Sequence, residues 1–373
     1  MDKQLHIVSH DVPWPADYGG VIDIFYTLKA LQAQGIRIHL HCFTSGKRPQ
    51  DELNAYCSSV NYYERKKNIS AFSNRLPLIV YSRSNDQLIR NLQKDDHPIL
   101  LEGIHCSYYL QQEMLKNRKV AVRLFNTEFE YYTQLAQNEN NLFKKWYYRH
   151  EARLLKNYEK ALAPKASFLA LSKQDVDTYR KTFNATDIHF VPPLLPFTNV
   201  TSAEGNGSYC LYHGNLAINE NENAVCWLLE HVFNKIEIPF VIAGKNPGSR
   251  LQKLAHKHKH TCLVANPSDK EMQDMIAKAH VHVLPSFNKT GIKLKLLNAF
   301  FSGRHCLVNM AGVLGSGLEN YCHIADTGDS FKQKITALYS LPFTKEEIEQ
   351  RQQLLQTVFN NEINARELMK FLW

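Results

Sequence analysis

The sequence predicts an α/β protein built from two doubly wound, Rossmann-like domains facing a cleft. Short β-rich runs alternate with helical patterns almost throughout, which means parallel sheets covered by helices on both faces. A stretch rich in Pro, Gly, Ser and Asn, "VPPLLPFTNVTSAEGNGS" at 191–208, interrupts the alternation and has no helical period. The length, 373 residues, exceeds one ordinary core and suits about two domains. The expected organisation is a first domain over 1–195, a second over 196–355, and a C-terminal helix over 356–373 crossing back to the first.

In the first half the strand runs are 5–10, 37–43, 59–64, 98–103, 120–126, 167–172 and 188–192. In the second they are 208–214, 239–244, 261–266, 281–286, 305–309 and 322–326, with helices over 221–233, 269–279 and 292–302. The run "VIDIFYTLKALQAQG" places Ile22, Phe25, Leu28 and Gln32 along one side and stops at Gly35. Hydrophobic content of 44% and charged content of 21% are those of a soluble globular protein. No signal peptide is legible, and no run of roughly 18 apolar residues would span a bilayer. The eight scattered cysteines form no CxxC pair and read as reduced thiols, which points to the cytoplasm. A net charge of +8 suits an anionic partner, or is an ordinary basic surface. No RRM, KH or helix-turn-helix pattern appears, so no nucleic-acid partner is expected.

Ligands of doubly wound sheets bind outside the carboxyl ends of strands, so the loops there carry the functional candidates. After the first strand, Gly19 and Gly20 open a helix, either to aim free N–H groups at an anion or to make a tight turn. The first strand of the second half ends in His213-Gly214-Asn215, where the histidine is a ligand contact or a satisfied structural residue. The next ends at Gly244-Lys245, an anion-binding turn or an exposed basic loop. The fourth loop leads into "TGIKLKLLNAFFSG", with Thr290 or Gly291 as cap and Leu294, Leu297 and Phe301 on an apolar face. Lys293 and Lys295 then stand at the positive end of a helix dipole, each costing roughly 0.3–1 kcal/mol. A phosphate or diphosphate at the helix tip would relieve that repulsion; otherwise one or both lysines extend into solvent. "DVD" at 175–177 looks like a metal-binding pair, but Ser172 three residues before Asp175 reads as an N-cap, and no metal is expected. Ser268 to Glu271 reads as a capping box.

Together these pieces resemble the GT-B glycosyltransferases, and within them the large retaining group called group 1 or family 4. The resemblance rests on the Gly-Gly loop, "RLFNTEFEYY" at 123–132, "ALSKQD" at 170–175, the His-Gly-Asn turn and above all "TGIKLKLLNAFFSG". It implies a nucleotide diphosphate sugar held mainly by the second domain and an acceptor held by the first. It implies Lys293 and Lys295 near the donor phosphates, Gly19 and Gly20 approaching them from the first domain, and Arg123 and Asn126 on the acceptor side. It also implies no cofactor and no metal, since helix N–H groups and basic side chains neutralise the leaving diphosphate. The chain departs from the family where two glutamates eight positions apart are usual: Thr290 and Asn298 stand there. His105 would serve the first-domain side, and Glu102 or Glu128 would orient an acceptor hydroxyl.

The expected function is transfer of a sugar to a glycan, lipid-linked or protein acceptor, with retention, as in polysaccharide biosynthesis. The alternative is a weakened scaffold that binds nucleotide or glycan without transfer. The stretch 141–165 mixes Phe143, Trp146, Tyr147 and Leu154 with Lys144, Lys145, Arg149, Arg153 and Lys156. It is either a basic amphipathic helix making peripheral contact with the inner face of a membrane, or a long helix packing its aromatics on the first domain.

Overall fold

All thirteen expected strand runs enter sheets in the computed structural model, which describes residues 3–16, 18–44, 46–66, 75–139 and 141–373. They are β1 (Gln4–Ser9), β2 (Arg37–Thr44), β3 (Ser59–Glu64), β4 (Ile99–Glu102), β5 (Val120–Leu124), β6 (Ser167–Ala170) and β7 (Ile188–Phe190), then β8 (Cys210–Asn215), β9 (Phe240–Lys245), β10 (Thr261–Ala265), β11 (Val281–Val283), β12 (His305–Val308) and β13 (His323–Ile324). The chain divides into two units, residues 1–196 with 357–373, and residues 197–356.

The first unit holds a parallel sheet in the order β3-β2-β1-β4-β5-β6-β7. Its central strands are buried on both faces, as helices on both sides require: every residue of β4, β5 and β6 is buried, Glu102 and Arg123 included. The second unit holds a parallel sheet in the order β10-β9-β8-β11-β12-β13. Strand order reverses between β1 and β4 in the first and between β8 and β11 in the second. Each reversal opens a crevice at the carboxyl ends of the two strands.

The helix after β1, Gly19–Ala33, buries Val21, Ile24, Phe25, Leu28 and Leu31. The expected stripe through Ile22 and Gln32 is displaced: Ile22 is half-buried and Gln32 exposed. Asp23, which a polarity pattern assigns to solvent, belongs to the core because its carboxylate receives Arg123 Nε at 2.7 Å and Nη2 at 3.0 Å. The C-terminal helix Asn361–Met369 places Ala365 and Leu368 in the buried cluster of Leu5, Ile7, Phe25 and Leu28. The side-chain amide of Asn361 clamps Leu195 by accepting from its N–H and donating to its carbonyl.

Ser172 does cap helix Lys173–Phe183, and Ser268 and Glu271 form a capping box. Helix Leu142–Leu162 buries Leu154, Leu155, Tyr158 and Leu162, but its first turns stay in solvent: Leu142 is 80%, Phe143 86% and Trp146 59% exposed. Packing on the first unit therefore begins only about Tyr147 and Tyr148, where Tyr148 meets Tyr132, and leaves the start of this helix unexplained. None of the described helices is long and apolar enough to cross a membrane.

Candidate active site

In the second unit the crevice between β8 and β11 is bordered by the His213-Gly214-Asn215 strand end, the start of helix Asn219–His231, the loop after β11, and helix Leu294–Ser302. That last helix begins later than the expected 292. Lys293 is its N-cap, and neither Thr290 nor Gly291 caps it. The hydroxyl of Thr290 instead donates to Asn288 Oδ1 at 2.8 Å, which also accepts the Thr290 N–H.

The two lysines diverge. Lys293 Nζ folds back onto the carbonyls of Thr290 and Gly291. Lys295 reaches toward β8 and donates to Tyr212 Oη and Asn221 Oδ1, both at 2.8 Å, with its ammonium 4.8 Å from the Tyr212 ring centre. Burial pushes the Lys295 amine down to about 8; Glu220 opposes that shift and Lys293 adds to it. Glu220 is held by the Ser286 hydroxyl at 2.9 Å and by Asn288 Nδ2 at 3.3 Å. The loop is fixed in turn because Ser286 N–H donates to Asn309 Oδ1 after β12.

His213 is buried and neither ring nitrogen has a hydrogen-bond partner. Burial, then Lys295, lowers its pKa to about 3, so the ring is neutral. Asn298 Oδ1 is likewise buried and unpaired. Lys245 ends β9 in solvent beside Asn215. Gly244 has a steric role: a Cβ there would lie 1.9 Å from the Gly214 carbonyl oxygen. The arrangement offers one deeply held ammonium, one carboxylate and several neutral donors and acceptors, a set suited to an anion carrying a polyhydroxylated group.

In the first unit the crevice between β1 and β4 contains His10, His105 and Phe125. The His10 ring centre is 5.2 Å from that of His105 and 5.4 Å from that of Phe125. Gly19 and Gly20 lie inside the helix rather than in a turn, and a Cβ on Gly20 would come 3.1 Å from the His10 ring. The smallness of Gly20 thus first serves His10. Arg83 Nε donates to the His10 carbonyl at 3.0 Å. Burial lowers His10 to about 4 and His105 well below its ordinary value, so both rings are neutral.

Glu102 ends β4 fully buried, with no hydrogen bond to either oxygen. Burial raises it to about 8, despite the opposing field of Arg123. Arg123 is wholly buried and donates to Asp23 and to the carbonyls of Val191 and Pro192, so it faces the interior of the unit and ties β5 to the segment after β7. Asn126 hydrogen-bonds Glu128, whose carboxyl burial raises to about 7. In the "DVD" triplet, Asp175 is buried and accepts from Thr127 N–H and Oγ1, while Asp177 is exposed. The two carboxylates do not converge.

Sequence reasoning missed Glu220, Asn221, Tyr212, Ser286 and Asn288 in the second unit, and His10 and Arg83 in the first. Glu220 and Asn221 lie in the "NENEN" run, where acidic residues in a first helical turn already have a dipole explanation.

Two parallel doubly wound sheets in these strand orders make this a GT-B type protein. Similar solved structures include sucrose-phosphate synthase from Thermosynechococcus elongatus, at 13% identity and TM-score 0.71 over 99% of this chain and 98% of that one. TarM, at 9% identity and TM-score 0.71, covers 100% of this chain and 99% of its own. A protein from Anabaena in complex with UDP and glucose matches at 9% identity and TM-score 0.67 over 99% of each. The family model for group 1 glycosyl transferases matches residues 207–340. A Klebsiella pneumoniae chain described as an uncharacterized 44.6 kDa protein in the cps region is 30% identical over 333 residues, 83% of this chain and 84% of that one. The chain belongs to the group 1 glycosyl transferases.

Proposed function

We propose that the protein transfers a sugar, with retention and without a metal, from a nucleotide diphosphate sugar to a glycan, lipid-linked or protein acceptor. The observation that carries this reading is Lys295, an ammonium held between Tyr212 and Asn221 beside the first turn of helix Leu294–Ser302. A charge in that position, with the helix N–H groups, stabilises a leaving diphosphate more than the intact donor, because negative charge grows there as the glycosidic bond breaks. Retention places departure and attack on one face of the sugar, with the leaving phosphate taking the acceptor proton. Glu220, in whose field Lys295 lies, is a carboxylate near the position where Thr290 replaces the family's usual glutamate, since both contact Asn288. His213 and Asn298 bring unpaired polar atoms to the same crevice. The UDP and glucose of the Anabaena protein make a uridine diphosphate sugar the first donor to try.

Calorimetric titration of the wild-type chain with UDP, GDP and their sugars tests the reading. Binding of one of them, abolished or much weakened in Lys295→Met, is expected; no binding of any nucleoside diphosphate would sink it. The Thr290 substitution favours a second reading, binding without transfer. Tight binding with no turnover across a broad acceptor panel would select it.

We also place the protein at the cytoplasmic face of a membrane, in peripheral contact through the exposed start of helix Leu142–Leu162. Leu142, Phe143 and Trp146 supply apolar area there, and Lys144, Lys145 and Arg149 supply charge for anionic headgroups.

A further inference from the structure

A second cluster lies at the amino ends of β12 and β13, the last two strands of the second unit's sheet, whereas the crevice lies at the carboxyl ends of β8 and β11. His305 begins β12 and His323 begins β13. Leu307 pairs with His323 in register, so residues 305 and 323 have the same parity and both imidazoles leave the same face. Glu347 comes from helix Lys345–Thr357. One ligand atom from each of the three lies within 4.8 Å of the others.

Two of the three groups have their remaining atoms fixed by other partners. His305 Nε2 donates to the Leu341 carbonyl at 2.9 Å, which puts the lone pair of a neutral ring on Nδ1. That Nδ1 is buried, has no hydrogen-bond partner, and lies 3.6 Å from Glu347 Oε1. Glu347 Oε2 is already taken by the N–H of Thr344 at 2.9 Å and its hydroxyl at 3.1 Å. A lone pair and a carboxylate oxygen therefore face each other, too far apart for the ordinary hydrogen bond of roughly 2.7–3.2 Å. The neighbouring His280 has both nitrogens committed, accepting from Gly207 N–H and donating to the Leu338 carbonyl.

We propose that His305, His323 and Glu347 form a binding site for a divalent transition metal, best suited to Zn²⁺, with water completing the shell. Two imidazoles and one carboxylate are a nitrogen–oxygen set that zinc accepts, and bonds of about 2.0–2.2 Å put tetrahedral ligand atoms roughly 3.4 Å apart. The His305–Glu347 distance of 3.6 Å is already close to that. His323 is partly exposed and provides the route of entry. The ion braces the last two strands of the sheet against helix Lys345–Thr357 and takes no part in sugar transfer.

The test uses the full chain without an affinity tag. The exposed "HKHKH" tract is first silenced by His256→Gln, His258→Gln and His260→Gln, since it would bind zinc on its own. After treatment with chelator, Zn²⁺ is titrated in competition with a chromophoric chelator, and thermal unfolding is followed with and without the metal. One equivalent per chain and a rise in Tm are expected. His323→Ala and Glu347→Gln should each bind at least about tenfold more weakly and lose the Tm rise. His323→Ala, at a half-buried strand end, keeps the test decisive if Glu347→Gln disturbs its helix. Substoichiometric zinc in the parent, or equal affinity in parent and variants, overturns the proposal and leaves a histidine–carboxylate contact only.

Discussion

Lys295 shows how one residue can look misplaced in a helix and be well placed in a fold. Its cost at the helix start is offset by Tyr212 and Asn221, neither of them near it in sequence. Replacing it with Met keeps the stem and removes the charge. Loss of a charged hydrogen bond of about 1.5–3 kcal/mol should weaken nucleoside diphosphate binding roughly 10–100-fold by calorimetry. Because burial sets the amine near 8, wild-type affinity should fall as pH rises through that value, while the Lys295→Met profile stays flat. Glu102 gives a prediction of the opposite kind. It stays protonated in the fold up to about 8, whereas the unfolded chain ionises it in the ordinary carboxylate range. Stability is therefore lost as pH climbs from that range toward 8, an effect on the order of a few kcal/mol. Glu128 and Glu159, raised to about 7 and about 8, add to the same slope. Glu102→Gln should flatten it, read as a smaller difference in urea midpoint between pH 6 and pH 8.

Among the elements, the β8–β9 pair and helix Leu142–Leu162 carry separable expectations. Gly244 pairs with Gly214 so closely that Gly244→Ala must push two strands apart. A destabilisation of about 1–3 kcal/mol follows, with lower Tm and weaker nucleotide binding as the Gly214-Asn215 turn shifts. The helix has a buried second half and an apolar, basic start. Phe143→Ser with Trp146→Ser should abolish flotation with anionic liposomes while leaving Tm within a degree or two. Wild-type flotation should weaken in high salt, because surface charges are screened over about 8–10 Å at physiological ionic strength. Wild-type protein that stays with the soluble fraction in low salt would remove the membrane contact.

At the scale of the whole chain, residues 357–373 complete the first unit although they follow the second in sequence. Ala365, Leu368 and Leu372 sit in its core, and each fully buried leucine contributes roughly 1.5–3 kcal/mol. Ending the chain at residue 360 removes several kcal/mol, a large share of an ordinary domain's stability. Amide exchange should accelerate across β1–β7 and stay nearly unchanged across β8–β13.

The alternation of strand and helix, the thirteen strand runs and the Ser172 and Ser268 caps were legible in the sequence. They depend on residues a few positions apart, through periodicity and local hydrogen bonding. The basic segment around Lys293 and Lys295 was legible for the same reason. What those lysines touch was not: one turns back on its own loop, the other crosses to β8. The resemblance put Arg123 on the acceptor side, whereas Asp23, 100 residues away, holds it in the core. Glu220, His10 and the group of His305, His323 and Glu347 gain their meaning from neighbours that only the tertiary structure supplies. Burial and long-range pairing set the charge and the partner of a side chain, and neither has a period in the sequence.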